Sequence, residues 1–173
     1  IATGGHVEST VKIARAGLPI VYAIIGGNPR YFKKLIQAYR EIGRDAGHAN
    51  KDLKVGAHSW GWITEDGEQA VKDYFHPTKQ VVDAISKDRP HWQELTYEQY
   101  LEQVGPNGAM FVGSPDQVAE KLIRMIEDLD LDRFMLHLPL GSMPHDQVLR
   151  AIELFGTQVA PKIRAYFAMK EGI

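Results

Sequence analysis

The sequence predicts an α/β protein on a parallel sheet, and two features carry that expectation. Short, continuous apolar runs alternate with longer segments whose apolar residues recur at helical spacing, and most of the runs end in glycine or proline. A run that is apolar throughout, rather than alternating, suits a strand covered on both faces, as parallel strands are. Counting the stub Ile1-Ala2, the chain has four successive β/α units, which is half of an eightfold barrel. An open, doubly wound sheet fits the same alternation, although neither Gly4-Gly5 nor Gly26-Gly27 has G-x-G-x-x-G spacing.

The stub runs into Thr3-Gly4-Gly5-His6, and a short helix is expected from Glu8. Pro19–Ile25 is the next strand, closed by Gly26-Gly27. Pro29 opens a helix with Phe32, Leu35, Ile36, Tyr39 and Ile42 on one face, ending by Gly43 and Gly47. Lys54–Ile63 reads as a strand interrupted by Gly56 and Gly61. Glu65–Val82 reads as a helix broken at Pro77. Residues 86–113 are irregular, with Pro90, Trp92, Pro106 and Gly108 and a short helix over Thr96–Gln103. A stretch of that length inside a compact domain suits a lid.

Ser114, Pro115 and Gln117 have the pattern of a capped helix start, and Val118, Leu122, Met125 and Leu129 supply that helix's face. Arg133–Leu138 is a strand. After Gly141-Ser142-Met143-Pro144, a last helix carries Val148, Ile152, Phe155 and Val159, with a kink or restart at Pro161. Residues 1–173 are thus expected to form a single partial domain, because a strand end with no full strand before it opens the chain.

Composition narrows the function classes. The 173 residues are 44% hydrophobic with a net charge of −2 and no cysteine, enough for a core and without thiol chemistry. Charges of both signs are interspersed, so neither a nucleic-acid stripe nor a polybasic membrane patch is present. A cytoplasmic protein is the expectation, with no metal, since no histidine has a partner at H-x₃-H spacing.

The first candidate site is the opening loop. Gly4 and Gly5 allow close backbone approach, and the helix start that follows turns free N–H groups toward an anion such as a phosphate. Ser9 adds a hydroxyl, Glu8 its backbone N–H, and Lys12 stands one turn on. An ordinary tight strand-to-helix turn is the plainer alternative. Gly26-Gly27-Asn28 ends the next strand at the barrel face where active sites form, or is a simple loop before Pro29.

In Ala57-His58-Ser59-Trp60-Gly61-Trp62, strand alternation puts His58, Trp60 and Trp62 on one face and Ala57, Ser59 and Gly61 on the other. The tryptophans either line a pocket or, the favoured reading, pack as core under the helices. In the first case His58 is a lining residue, and Ser59 with Gly61 is the alternative lining of the barrel interior. His137 reads as a core histidine, while His145 sits at a helix start and His6 on the phosphate loop. Gly113-Ser114-Pro115-Asp116 could bind a second anion, but a capped helix start explains it fully.

Several segments, taken in order, resemble one family. These are A-T-G-G-H-V-E-S at 2–9, A-G-L-P-I at 16–20, I-I-G-G-N-P at 24–29, V-G-S-P-D-Q-V-A-E-K-L at 112–122, D-R-F-M-L at 132–136 and the stretch from Pro144 to Arg164. Together they resemble the C-terminal half of luciferase-like, flavin-dependent monooxygenases, whose members have about twice this length. The resemblance implies strands five to eight of a (β/α)8 barrel, with the first half preceding Ile1. It also implies FMN rather than deazaflavin F420, with Glu8 and Ser9 at the helix start on the FMN phosphate and Gly5 beside them.

Reduced flavin and O2 acting on a small organic substrate would follow, in an enzyme of which this chain alone is inactive. The family's acid and base residues tend to come from the other half, so no catalytic residue is assigned. Where the resemblance implies Ser-His-Gly at the seventh strand, this chain has Ser59-Trp60-Gly61 with His58 before it. A flavin reductase and a homodimer are the expected partners, the latter because a half-barrel leaves open sheet edges. A non-catalytic flavin-binding or partner subunit and an unrelated phosphate-binding barrel are the alternatives.

Overall fold

The computed structural model describes residues 1–89 and 92–172, so Pro90 of the irregular stretch lies outside the described residues. The strands are β1 (Ala2–Thr3), β2 (Ile20–Ala23), β3 (Val55–Ile63), β4 (Phe111–Gly113) and β5 (Arg133–His137). The helices are α1 (Val7–Arg15), α2 (Phe32–Asp45), α3 (Gly67–Asp88), α4 (Tyr97–Val104), α5 (Pro115–Leu129), α6 (His145–Leu154) and α7 (Ala160–Glu171).

All strand pairs are parallel. β1 lies beside β2 and β2 beside β3. β3 then pairs with β5 through Gly56–Trp60 and with β4 through Gly61–Ile63. The order β1-β2-β3-β5 runs one way with no switch point, which is barrel order and excludes the doubly wound alternative. The chain is a partial TIM barrel.

The register sorts residues into two faces. Tyr22 stands beside Ala57, and Ala57 beside Phe134. Tyr22 Oη is 3.1 Å from Thr10 Oγ1 of α1 and its ring meets Phe32 of α2 edge-on, so this face packs against the helices. Ile20, Tyr22, Val55 and Ala57 are fully buried there. The opposite face carries Val21, Ala23, His58, Met135 and His137, which are half-buried or exposed. It is the concave side that a closed barrel encloses.

Two local expectations change and two are refined. Phe111–Gly113 is a strand inside the stretch read as irregular; three residues are too few to show a period. Pro77 does not break its helix: α3 runs unbroken from Gly67 to Asp88, because Ala70, Tyr74, Thr78 and Val82 form one buried stripe through the proline. The contacts along that stripe offset a cost of about 3 kcal/mol for an interior proline. The helix after Pro29 begins with a 3₁₀ turn over Pro29–Tyr31. Beyond Leu154 the chain passes through a π-helical turn, Phe155–Val159, into α7, so Pro161 sits in the first turn of a continuing helix. The short helix of the irregular stretch and the Ser114 start both form as read, each with a complete capping box, Thr96 with Gln99 and Ser114 with Gln117.

One carboxylate ties two strands at their N-terminal ends. Asp132, just before β5, accepts from Lys54 Nζ at 2.7 Å and from the Val55 N–H at 2.9 Å, with Arg40 Nη2 at 3.5 Å. Burial works against its charge, but these donors outweigh burial and hold the carboxyl below the usual aspartate range. A carboxyl depressed on folding stabilises fully above its unfolded value near 3.8, and that contribution is lost as pH falls through the lower folded value. Asp132→Asn is expected to cost about 1–3 kcal/mol at neutral pH and to flatten the acid limb of the stability curve. Urea unfolding across the acid range checks both; an acid limb as steep as that of the unaltered chain would refute the assignment.

Candidate functional site

The C-terminal ends of β1 and β2 open onto a groove of about 780 Å³. Gly4 and His6 from the first loop, and Gly26 and Gly27 from the second, form one wall. The segment between α3 and β4 forms the other, with Arg89, Trp92, Gln93, Gln103 and Met110. The stretch expected as a lid therefore supplies half of the groove's lining.

The glycines here differ in what they do. A Cβ on Gly4, Gly26 or Gly27 would meet nothing within 4 Å, so each keeps the groove open rather than relieving a clash. Gly27 also has φ +74, a backbone conformation that glycine adopts freely. Gly5 is different. It has φ +93, and a Cβ there would lie 2.7 Å from Phe32 Cε1, so this residue lets the loop turn tightly over α2.

α1 begins one residue earlier than expected, at Val7. His6 is its N-cap, with extended backbone and no side-chain capping bond. The first intrahelical bond runs from the Thr10 N–H to the His6 carbonyl at 3.1 Å, so the Val7, Glu8 and Ser9 N–H groups have no partner within the helix. Ser9 is half-buried. Glu8 turns outward to Lys12, with 2.7 Å between the charged atoms, so both side chains serve an exposed helical pair.

Of the residues singled out from the sequence, Gly4, Gly26 and Gly27 come together as groove lining. Gly5, Glu8 and Ser9 lie alongside, in the turn and first helical turn. Asn28 caps the 3₁₀ turn, its side chain accepting from the Arg30 N–H at 3.0 Å.

The sequence reading missed Gln103. Its Oε1 is buried and has no hydrogen-bond partner among the described residues, and the residue borders the groove. Unpartnered buried acceptors are uncommon. Nothing in the local sequence marks it; only the return of the chain from α4 to β4 brings it opposite the glycines.

On β3, the tryptophans pack as core. Trp60 is 5% exposed with its ring 6.5 Å from Trp92, and Trp62, 1% exposed, stacks on Tyr74 of α3. Ser59 and Gly61 do not line the interior. Ser59 faces the helices, where its hydroxyl donates to the Ile24 carbonyl at 2.8 Å. A Cβ on Gly61 would collide with the Phe111 carbonyl and Leu136. His58 lies on the concave face, its ring 5.6 Å from that of His137. Burial, and then the charge of His137, push the His58 imidazole below the ordinary histidine range. His137 is exposed on this face rather than a core residue, and His145 opens α6.

A family model described as luciferase-like monooxygenase matches residues 1–133. Among curated proteins nothing matches the chain. Among solved structures, the monooxygenase RslO1 from Streptomyces bottropensis superposes with a TM-score of 0.75 at 19% identity, over 92% of this chain and 46% of that one. The coenzyme F420-dependent tetrahydromethanopterin reductase from Methanopyrus kandleri gives 0.65 at 16%, over 94% and 50%. The oxygenating constituent of 3,6-diketocamphane monooxygenase from Pseudomonas putida, solved with FMN, gives 0.63 at 18%, over 94% and 47%. The chain spans about half the length of each of these proteins.

The two loop glycines are expected to part company on substitution. Gly5→Ala should destabilise by about 1–3 kcal/mol, since a side chain at positive φ is strained and Phe32 must move. Gly4→Ala should stay within about 0.5 kcal/mol of the unaltered chain. Chemical denaturation compares them directly; equal losses would remove the distinction.

Proposed function

We propose that this chain, which belongs to the luciferase-like monooxygenase family, holds the phosphate end of FMN in a flavin-dependent oxygenase. The observation that carries this reading is the groove: three glycines with open space at Cβ, beside a helix N-terminus whose first amides are unbonded. The residues present fit such a cofactor. The Val7, Glu8 and Ser9 amides and the Ser9 hydroxyl supply donors for a phosphate dianion, aided by the helix dipole. Gly26 and Gly27 leave room for the chain between phosphate and ring.

When bound, reduced flavin supplies the electrons that activate O2 for attack on a small organic substrate. The protein's part is to orient the cofactor and exclude water, and Trp92, with the buried Trp60 ring behind it, gives the groove an aromatic wall. FMN is favoured over F420 by the Glu8-Ser9 helix start, and structural relatives name each cofactor. No residue of this chain is assigned as catalytic acid or base.

The proposal extends to partners. A flavin reductase supplies reduced cofactor, and a second copy forms a homodimer. A cytoplasmic setting accords with the observation that no described helix is long and apolar enough to cross a membrane.

Titration of the intact polypeptide with FMN and with riboflavin tests the phosphate assignment. FMN is expected to bind at least tenfold tighter than riboflavin. Ser9→Asp, which sets a negative charge at the helix start, should erase most of that difference and leave riboflavin binding alone. Gly26→Leu, which fills the groove, should weaken both ligands with little change in stability. Equal affinity for FMN and riboflavin, or binding of neither, would overturn the reading.

A further inference from the structure

Lys121 is a lysine on the apolar face of α5, 8% exposed, among Val118, Leu122 and Met125. Its ammonium donates to backbone carbonyls: Gly105 and Met110 at 2.6 Å, Val104 at 2.9 Å and, more weakly, Gln103 at 3.4 Å. It also lies 5.2 Å from the centre of the Phe111 ring. Three of those carbonyls belong to the end of α4, where the last acceptors have no partner within the helix and its dipole favours a cation. The fourth, on Met110, immediately precedes β4. One charge therefore closes the whole turn between α4 and β4.

We propose that Lys121 is a positioning residue for the cofactor groove, tying two groove-lining residues, Gln103 and Met110, together from behind by their carbonyls. This rests on the groove being the flavin site. The turn it braces is already tight. The Met110 N–H donates to the Gln103 carbonyl at 2.9 Å and the Gly108 N–H to the Gly105 carbonyl at 3.1 Å. A Cβ on Gly108 would collide with the Gln103 carbonyl oxygen, so glycine alone fits.

On the side away from the groove, the turn borders a second cavity of about 220 Å³, lined by Pro106, Asn107, Gly108, Phe111 and Lys121 itself. Among the described residues the two cavities share no lining residue, so the turn is a partition with Lys121 on its outer side. Burial and the nearby Arg124 charge pull the ammonium down to about 7, while the carbonyl dipoles and the Phe111 ring act to keep it charged. Removing the tie frees the partition to move, and with it the unpartnered Gln103 Oε1.

The test is made on the intact polypeptide. Lys121→Met keeps length and loses the donors. It is expected to raise the FMN dissociation constant about tenfold and to speed amide hydrogen exchange over 103–110 well beyond any change over α1 and β2. Leu154→Ala, a buried site in α6 away from the groove, matches the loss of stability and is expected to leave FMN affinity within twofold.

In Lys121→Ala, n-propylammonium entering from the outer cavity should restore both affinity and exchange protection, and n-propanol should not. Lys121→Gln serves where the methionine variant does not fold, and is expected to fall between it and the unaltered chain. The proposal is overturned if exchange over 103–110 is unchanged in the methionine variant, if the Leu154 variant loses as much affinity, or if propanol rescues as well as propylammonium. Absence of FMN binding in the unaltered polypeptide defeats the cofactor reading instead, and the exchange and rescue arms then decide the brace alone.

Discussion

One strand holds this half-barrel together. β3 is nine residues long and meets β2, β4 and β5 within its length. Backbone amides and carbonyls taken out of water must find partners, and β3, buried along nearly all its length, finds them on both sides. Its first half sets the register of the barrel wall. Its second half captures Phe111–Gly113 and thereby fixes where the chain re-enters the sheet after its long excursion. Whatever the groove's far wall does depends on that capture.

The groove follows from two kinds of constraint that meet. On one wall, parallel strands end together and hand over to helices, which exposes backbone N–H groups at a common level. Gly4, Gly26 and Gly27 keep side chains out of that space. On the other wall the backbone is irregular and needs outside help. Asp83 supplies part of it, accepting from the Leu95 N–H at 2.9 Å and from Lys79 Nζ at 2.7 Å. Lys79 Nζ in turn donates to the Leu95 carbonyl at 3.1 Å. Polar side chains of α3 thus stand in for ladder bonds that this part of the segment lacks.

The concave face tells a complementary story. His58 and His137 approach one another there, and Met135 is 38% exposed on the same face. The chain covers about half of each structural relative. In those proteins the same architecture is a part of a longer chain.

Much of the fold was legible in the sequence because its signals are local. The apolar runs, the helical periods and the Thr96 and Ser114 capping boxes need only neighbouring residues to form. The positions of Gly4, Gly26 and Gly27 after strands were legible too, since the apolar runs end there; the open space around them was not. What only tertiary structure decided was set by contacts distant in sequence. Pro77 stays helical because Ala70, Tyr74, Thr78 and Val82 are buried in one stripe. Phe111–Gly113 becomes a strand because β3 offers it an edge. Ser59 faces the helices, and Gln103 borders the groove, because strand pairing and chain return put them there. Lys121 meets its carbonyl partners only because the end of α4 folds over it. Periodicity and capping fix what each segment becomes; the pairing of distant backbone groups fixes which side chains meet.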